Sequence, residues 1–210
     1  MTPKPTDSRA LAALIARRGR TARSITAIAG PPGAGKSTVA EALADELNAA
    51  EPGSAAVLPM DGYHYDDIVL EARGDRARKG APHTFDVGGF AAMLARLRAN
   101  TEEEIAVPVF DRSIEIARNA ARIIPQTVRH LIVEGNYLLL DRPPWTSLAA
   151  SFDTTVFLDV PTEELRARLT ERWKDLAPDA FAEKMEGNDL PNVHLVQEAS
   201  RPAEFVIRDA

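Results

Sequence analysis

Residues Ser24–Leu47, "SITAIAGPPGAGKSTVAEALADEL", decide the fold. Ser24–Ala29 is a short apolar run of strand length, and Lys36–Ala49 repeats its apolar residues at helical spacing. Between them, Gly30-Pro31-Pro32-Gly33-Ala34-Gly35-Lys36-Ser37 satisfies the pattern G-x-x-x-x-G-K-[ST]. Gly33 and Gly35 let the backbone wrap so that successive N–H groups point inward at phosphate oxygens. Lys36 brings a cation to the β- and γ-phosphates, and the Ser37 hydroxyl can ligate Mg²⁺. The helix that begins there, with Thr38 in its first turn, turns its positive dipole end toward the anion. Gly30, Gly33, Ala34, Gly35, Lys36, Ser37 and Thr38 are thus the expected nucleotide contacts. A chance glycine-rich turn would not need a buried strand before it and an amphipathic helix behind it.

Outward from this stretch the same alternation continues. Apolar runs lie at Ala55–Met60, His130–Glu134, Thr154–Val160 and Glu204–Ile207, and helical patterns at Phe90–Arg98, Thr162–Asp175 and Pro191–Ala199. Strands alternating with helices predict an α/β domain with a mostly parallel, five-stranded sheet and helices on both faces. The 210 residues fit a single domain spanning the whole chain, 1–210. Near the N-terminus, apolar residues at helical spacing follow Ser8, the expected N-cap, and not the order of a signal peptide. No apolar run reaches the roughly 18 residues of a membrane span. The chain has no cysteine, which excludes disulfides and zinc–thiolate sites and fits a cytoplasmic location. A net charge of −6 argues against a general partner for nucleic acid or an anionic membrane. A monomer or homodimer that binds a small molecule is expected.

Two segments break the alternation. Residues 61–89 hold five of the twelve glycines, and residues 100–128 read as short strands on a sheet edge. Both are expected as insertions at one rim of the sheet, on the substrate side.

Asp61 closes the second apolar run and opens "DGYH". Ligands in open α/β sheets bind outside the carboxyl ends of the strands. If that strand lies near the first, Asp61 faces the transferring phosphate. It can then accept the proton of an attacking hydroxyl or hold Mg²⁺ through water. The competing reading is an Asp-Gly turn with no chemistry. Glu134, after "LIV", also stands at a strand end, where it can hold Mg²⁺, orient substrate or simply cap the strand. Asp159 looks similar, but Pro161 and a helix follow, so a structural role at the helix start is expected.

Arg168 and Arg172 stand four apart on one helix face, and Arg166 points elsewhere. Arginines on a lid over residues 162–190 can neutralise the charge that spreads over a moving phosphoryl group. A solvated helix with a Glu164–Arg168 pair is the plainer alternative. Arg73, Arg76, Arg78 and Lys79 outnumber Glu71 and Asp75 and can bind an anionic group or form a solvated loop. His64, His83 and His194 lack metal-ligand spacing, although His64 and His83 can hydrogen-bond a polar substrate. No Asn-Lys-x-Asp occurs, which argues against a guanine-specific switch.

Taken in order, "GPPGAGKST", "PMDGYHYDD", "RKGAPHTFD", "VPVFDRS", "LIVEGNYLLL" and "LRARLTERW" resemble the uridine kinase, phosphoribulokinase and bacterial pantothenate kinase group of P-loop kinases. The resemblance runs from about Ser24 to Arg208. "NDLPNVHLV" and the compact length are most similar to the fructose-transport-associated, fructokinase-like branch. The resemblance implies a P-loop NTPase three-layer sandwich with a small lid, working with ATP and Mg²⁺. It implies Asp61 as base, with Lys36, Arg168 and Arg172 completing the catalytic set. Ser37, Asp61 and Glu134 would face the metal. Tyr63, His64, Arg78, Lys79, Asp86, Asp111 and Glu134 would shape the acceptor site. Uridine kinases carry an Asp-Ser-Phe-Tyr-like sequence where this chain has Asp61-Gly62-Tyr63-His64, which weighs against uridine.

The expected activity is transfer of the ATP γ-phosphoryl group to a hydroxyl of a small polar metabolite, a sugar before a nucleoside or a pantothenate-like alcohol. An ATPase without an acceptor and a nucleotide-binding regulator are the alternatives. Asp61 and the lid arginines favour the kinase, since a regulator needs neither.

Overall fold

The computed structural model describes residues 3–208. Its strands are β1 (Lys4–Pro5), β2 (Ser24–Ala29), β3 (Ala55–Pro59), β4 (Glu104–Asp111), β5 (Ile116–Pro125), β6 (His130–Gly135), β7 (Thr154–Leu158) and β8 (Phe205–Ile207). Six of them form one parallel sheet in the order β1-β8-β7-β2-β6-β3. The central strands β2 and β6 are buried along their whole length, as a parallel sheet covered on both faces requires. Side chains alternate between two cores. Ile25, Ala27, Leu131 and Val133 face one, and Ile28, Ile132 and Val156 face the other.

The helices α1 (Ser8–Arg18), α2 (Lys36–Ala50), α5 (Thr162–Trp173) and α7 (Leu190–Ala199) contribute to the second core. In α2, Val39, Ala40, Leu43, Ala44 and Leu47 form the buried stripe. Each fully buried leucine there contributes about 1.5–3 kcal/mol relative to exposure. The opposite core is built around α4 (Val87–Ala99), through Phe90, Leu94 and Leu97. Two short helices, α3 (Asp67–Arg73) and α6 (Pro178–Lys184), complete the helices described.

Three expectations change. The sheet has six strands and not five. β1 is two residues long, too short to show a period, and it hydrogen-bonds beside β8. Residues 100–128 do not extend the main sheet. They fold as a separate antiparallel hairpin, β4–β5, whose register shifts between Val107 and Val109. Pro108 lies at that shift and has no N–H to donate to a ladder. The N-cap of α1 is Asp7 and not Ser8: the Asp7 carboxylate accepts from the Ala10 N–H at 2.8 Å.

The hairpin is fastened at its base and along its length. At its base, the buried Arg23 donates to the carbonyls of Val128 (2.7 Å), Leu97 (2.9 Å) and Pro125 (2.9 Å). Nearer its tip, Arg122 donates to the Val57 carbonyl at 2.5 Å. Gly62 then packs against Pro108, and a Cβ at Gly62 would stand 2.6 Å from the Pro108 carbonyl oxygen. Gly62 therefore serves close approach between the rim turn and the hairpin. Replacing Arg23 with Leu should strand those carbonyls and lower stability by about 2–4 kcal/mol. Urea unfolding would measure this, and a wild-type midpoint would show that water satisfies the same groups.

Candidate active site

The carboxyl ends of β2, β6 and β3 are level. Ala29 pairs with Gly135, and Glu134 pairs with Pro59. β6 thus separates the strands formed by the first two apolar runs. Asp61 still reaches the same cavity as the glycine loop, because a 3₁₀ turn at Met60–Tyr63 carries it beyond its strand. That cavity holds about 450 Å³.

On one side of it lies the glycine loop. Gly33 and Gly35 have φ of +83° and +86°, which only glycine adopts without strain. Gly35 is also the N-cap of α2 and contributes no side-chain cap, so the helix start faces the cavity through its backbone. Lys36 is 8% exposed and donates to the Pro31 carbonyl at 2.9 Å. Burial pushes its pKa down to about 8, against the opposing pull of Glu134 and Asp61.

The Ser37 hydroxyl donates to Glu134 Oε1 at 3.2 Å. Glu134 is 5% exposed, and its pKa is pushed up to about 7, by burial first and then by the charge of Asp61. Two carboxylates and a hydroxyl on one cavity are hard oxygen donors, and both burial and the charge of Asp61 disfavour an ionised Glu134 without a cation. This fits Mg²⁺, which takes one or two carboxylates and completes its shell with phosphate and water. Among the described residues there is no cluster of three or more His, Cys, Asp or Glu arranged to hold a metal alone.

Asp61 Oδ2 pairs with Arg112 at 2.9 Å. Its backbone carbonyl accepts from the His64 N–H at 3.2 Å and lies 2.8 Å from His64 Nδ1. The His64 ring packs on Phe85 and Phe110, and burial lowers its pKa. Lys79, 5% exposed, also lines the cavity. It is bound to Asp67 at 2.5 Å and to the carbonyl of Glu115.

From the far side, α5 presents Arg168 and Arg172. Arg168 donates to the Gly33 carbonyl at 3.3 Å and pairs with Glu164 at 2.6 Å. The Arg172 guanidinium lies 5.5 Å from the Trp173 ring centroid. Arg166 turns away to Glu186. After α6, a π-helical turn at Met185–Asp189 leads into α7.

The structure thus brings Lys36, Ser37, Asp61, His64, Lys79, Glu134, Arg168 and Arg172 to one cavity, and leaves four expected acceptor residues outside its lining. Tyr63 is buried against Phe90. Arg78 does not line the cavity. Asp86 caps α4 by accepting from Gly89 N at 2.9 Å. Asp111 accepts from Ser113 and Arg118 at the hairpin tip. Asp159, expected at the start of α5, pairs instead with Arg208, and the N-cap is Pro161. Arg112, Glu115 and the Asn188-Asp189 pair line the cavity although none was singled out as a site residue; "NDLPNVHLV" opens on that pair. "VPVFDRS" already contained Arg112, one residue beyond the expected aspartate.

With the geometry in place, comparison with known proteins places the chain. A family model described as an AAA domain matches residues 27–188. The uncharacterised protein YggC of Escherichia coli K12 is 36% identical over 196 residues, covering 88% of this chain and 77% of that protein. A provisionally named uridine kinase of Schizosaccharomyces pombe is 32% identical over 196 residues, covering 89% and 83%. The crystal structure of a provisionally named fructose transport system kinase from Silicibacter sp. TM1040 superposes with a TM-score of 0.86. It is 39% identical and covers 96% of this chain and 98% of that one. The chain belongs to this family, within the P-loop kinases that its sequence resembles. It is an ATP-dependent phosphotransferase on a P-loop sandwich fold. Among the described residues no helix is long and apolar enough to cross a membrane.

The buried carboxylate has a measurable consequence. In the fold Glu134 keeps its proton up to about pH 7, whereas the unfolded chain releases it near 4.5. Between those values the folded state binds more protons, so the stability contribution of Glu134 falls as pH rises. Without nucleotide, Glu134→Gln should melt above wild type at pH 8, by roughly 2–4 °C per kcal/mol relieved. The gap should close toward pH 5. A gap independent of pH would show that Glu134 ionises as readily in the fold as outside it.

Proposed function

We propose that the protein transfers the γ-phosphoryl group of ATP, with Mg²⁺, to a hydroxyl of a small polar metabolite, a sugar before a nucleoside or a pantothenate-like alcohol. The observation that carries this is the single cavity in which an anion cradle, Lys36–Ser37, faces a strand-end carboxylate, Asp61. Similarity to a protein named as a fructose transport system kinase supports the sugar. Similarity to one named as a uridine kinase supports the nucleoside.

ATP and Mg²⁺ bound here would supply the phosphoryl group and the neutralising charge. The backbone of Gly33–Ser37 and the Lys36 ammonium hold the phosphates. Ser37 and Glu134 would hold the metal, with Asp61 lining the same cavity. Asp61 accepts the proton of the attacking hydroxyl, and Arg112 orients the carboxylate through their 2.9 Å pair. Arg168 and Arg172 stabilise charge on the phosphoryl group in flight. Residues 162–190 act as the lid that keeps water out, because an open site would hydrolyse ATP without an acceptor. A cysteine-free chain working with ATP suits the cytoplasm.

The decisive measurement is ADP release across a panel of sugars, nucleosides, pantothenate and glycerate. One acceptor should raise turnover well above the basal rate; uniform basal hydrolysis would remove the kinase reading. Asp61→Asn should bind ATP nearly as wild type and turn over roughly 10²–10⁴-fold more slowly. Wild-type turnover in that variant would remove Asp61 as the base.

A further inference from the structure

The part of the cavity away from the phosphate cradle contains a buried polar group with no place in the steps above. Asn188, Asp189 and Asn192 are 2%, 7% and 2% exposed, and all three line the cavity. The π-helical turn ends at Asp189, and single π turns inside α-helices recur at functional sites because they re-aim side chains. Here the turn connects two walls. Asn188 Nδ2 donates to the Lys79 carbonyl at 2.9 Å, joining the turn to the 78–86 segment. Trp173 Nε1 donates to Asp189 Oδ2 at 2.8 Å, joining it to the end of α5. Asn192 Nδ2 donates to Asn188 Oδ1 at 3.2 Å.

These bonds leave a specific set of groups. Asn188 is occupied by its neighbours and holds the turn in place. Asp189 has one carboxylate oxygen on Trp173. Its other oxygen is reached within the turn only by Asn188 Nδ2, at a long 3.5 Å. Burial raises the Asp189 pKa, so a hydroxyl donor would suit this oxygen. Phe110, whose ring packs on His64, lines the same cavity. A carboxylate, an amide and an aromatic ring together match vicinal hydroxyls on a carbon skeleton.

The charges around Asp189 are mixed: it feels Lys184 and Arg172 as opposite charges and Glu115 as a like charge. Lys184 and Arg172 both lie over the Trp173 ring, and the buried Lys79 is already bonded to Asp67 and to the Glu115 carbonyl. A carboxylate brought to the open Asp189 oxygen would meet a like charge, whereas a hydroxyl would donate to it.

We propose that Asp189 and Asn192 are the acceptor-reading residues and that they select an uncharged polyhydroxylated acceptor, with Asn188 as their positioning residue. This rests on the kinase reading above. The test uses the full-length protein and its Asp189→Asn and Asn192→Leu variants, with D-fructose, glycerol, uridine, D-glycerate and pantothenate as probes. Turnover is read as ADP release. Binding is read from Trp173 fluorescence with a non-hydrolysable ATP analogue present; the other tryptophan, Trp145, is buried in the core.

The neutral polyols should be preferred over the two acids. Asp189→Asn should raise the KM of the preferred acceptor about 10- to 100-fold, the loss of one or two hydrogen bonds to a charged group. The KM for ATP and the melting temperature should stay near wild type, since an amide oxygen can still accept from Trp173. Asn192→Leu, which keeps the volume, should act in the same direction. Preference for glycerate or pantothenate would overturn this inference and leave the kinase reading intact. So would a polyol KM unmoved by Asp189→Asn. No turnover and no fluorescence response with any probe would overturn both.

Discussion

Burial of a lysine and a glutamate at the same edge of a parallel sheet is the constraint on which the site depends. Such a sheet is covered on both faces, so its strand ends are where polar chemistry can gather. Here β2, β6 and β3 end level, which puts Lys36, Glu134 and Asp61 around one cavity. Removing Lys36 and Glu134 from water disfavours the charged form of each, and their shifts run in the directions burial dictates. A bound anion would compensate Lys36, and a bound cation would compensate Glu134. The fold alone is therefore less stable than the fold with its ligands, which restore the difference by mass action.

The rest of the molecule brings further groups to that edge without disturbing it. The hairpin carries Arg112 and Glu115 to the cavity, and its position is set by contacts at its base and along its length. Arg23 fixes its base through three buried carbonyl contacts, and Gly62 admits Pro108 near its middle. The rings of Phe85, His64 and Phe110 then stack between the 78–86 segment, the rim turn and the hairpin. On the opposite side, Trp173 joins α5 to the π-helical turn. The two segments that interrupt the strand–helix alternation are thus walls held by specific apolar and polar contacts.

How much of this was legible in the sequence depends on the range of the interaction. The glycine loop is a local motif with its context on either side, and the alternation of strands and helices is a local period. Both could be read directly. Glu134 and Asp61 were legible because a carboxylate just after an apolar run stands at a strand end, on the side where such sheets bind ligands. Asp86 and Asp111 sit in similar company but do different work. Each is followed by a residue that its side chain binds locally, Gly89 and Ser113, and such short-range bonds compete with any ligand. Arg112 and Glu115 could not be assigned because their place depends on how a hairpin folds back. Asn188 and Asp189 lie in the π turn, where the helical period changes, and Asn192 lies in the expected helix but was not distinguished from its neighbours there.

The two carboxylates of the site differ in ways that suit different work. Glu134 is the last residue but one of β6, 5% exposed and hydrogen-bonded to Ser37 at the start of α2. A cation held there would meet the Ser37 hydroxyl as well as the carboxylate. Asp61 stands two residues past its strand, with its side chain 23% exposed, and is held by an arginine from a different element. Its carboxylate can meet a hydroxyl arriving from the acceptor side while Arg112 limits its orientations. The charge of Asp61 also helps raise Glu134. A cation that satisfies Glu134 would offset that repulsion and favour the ionised carboxylate, coupling ligand binding to the protonation of Glu134.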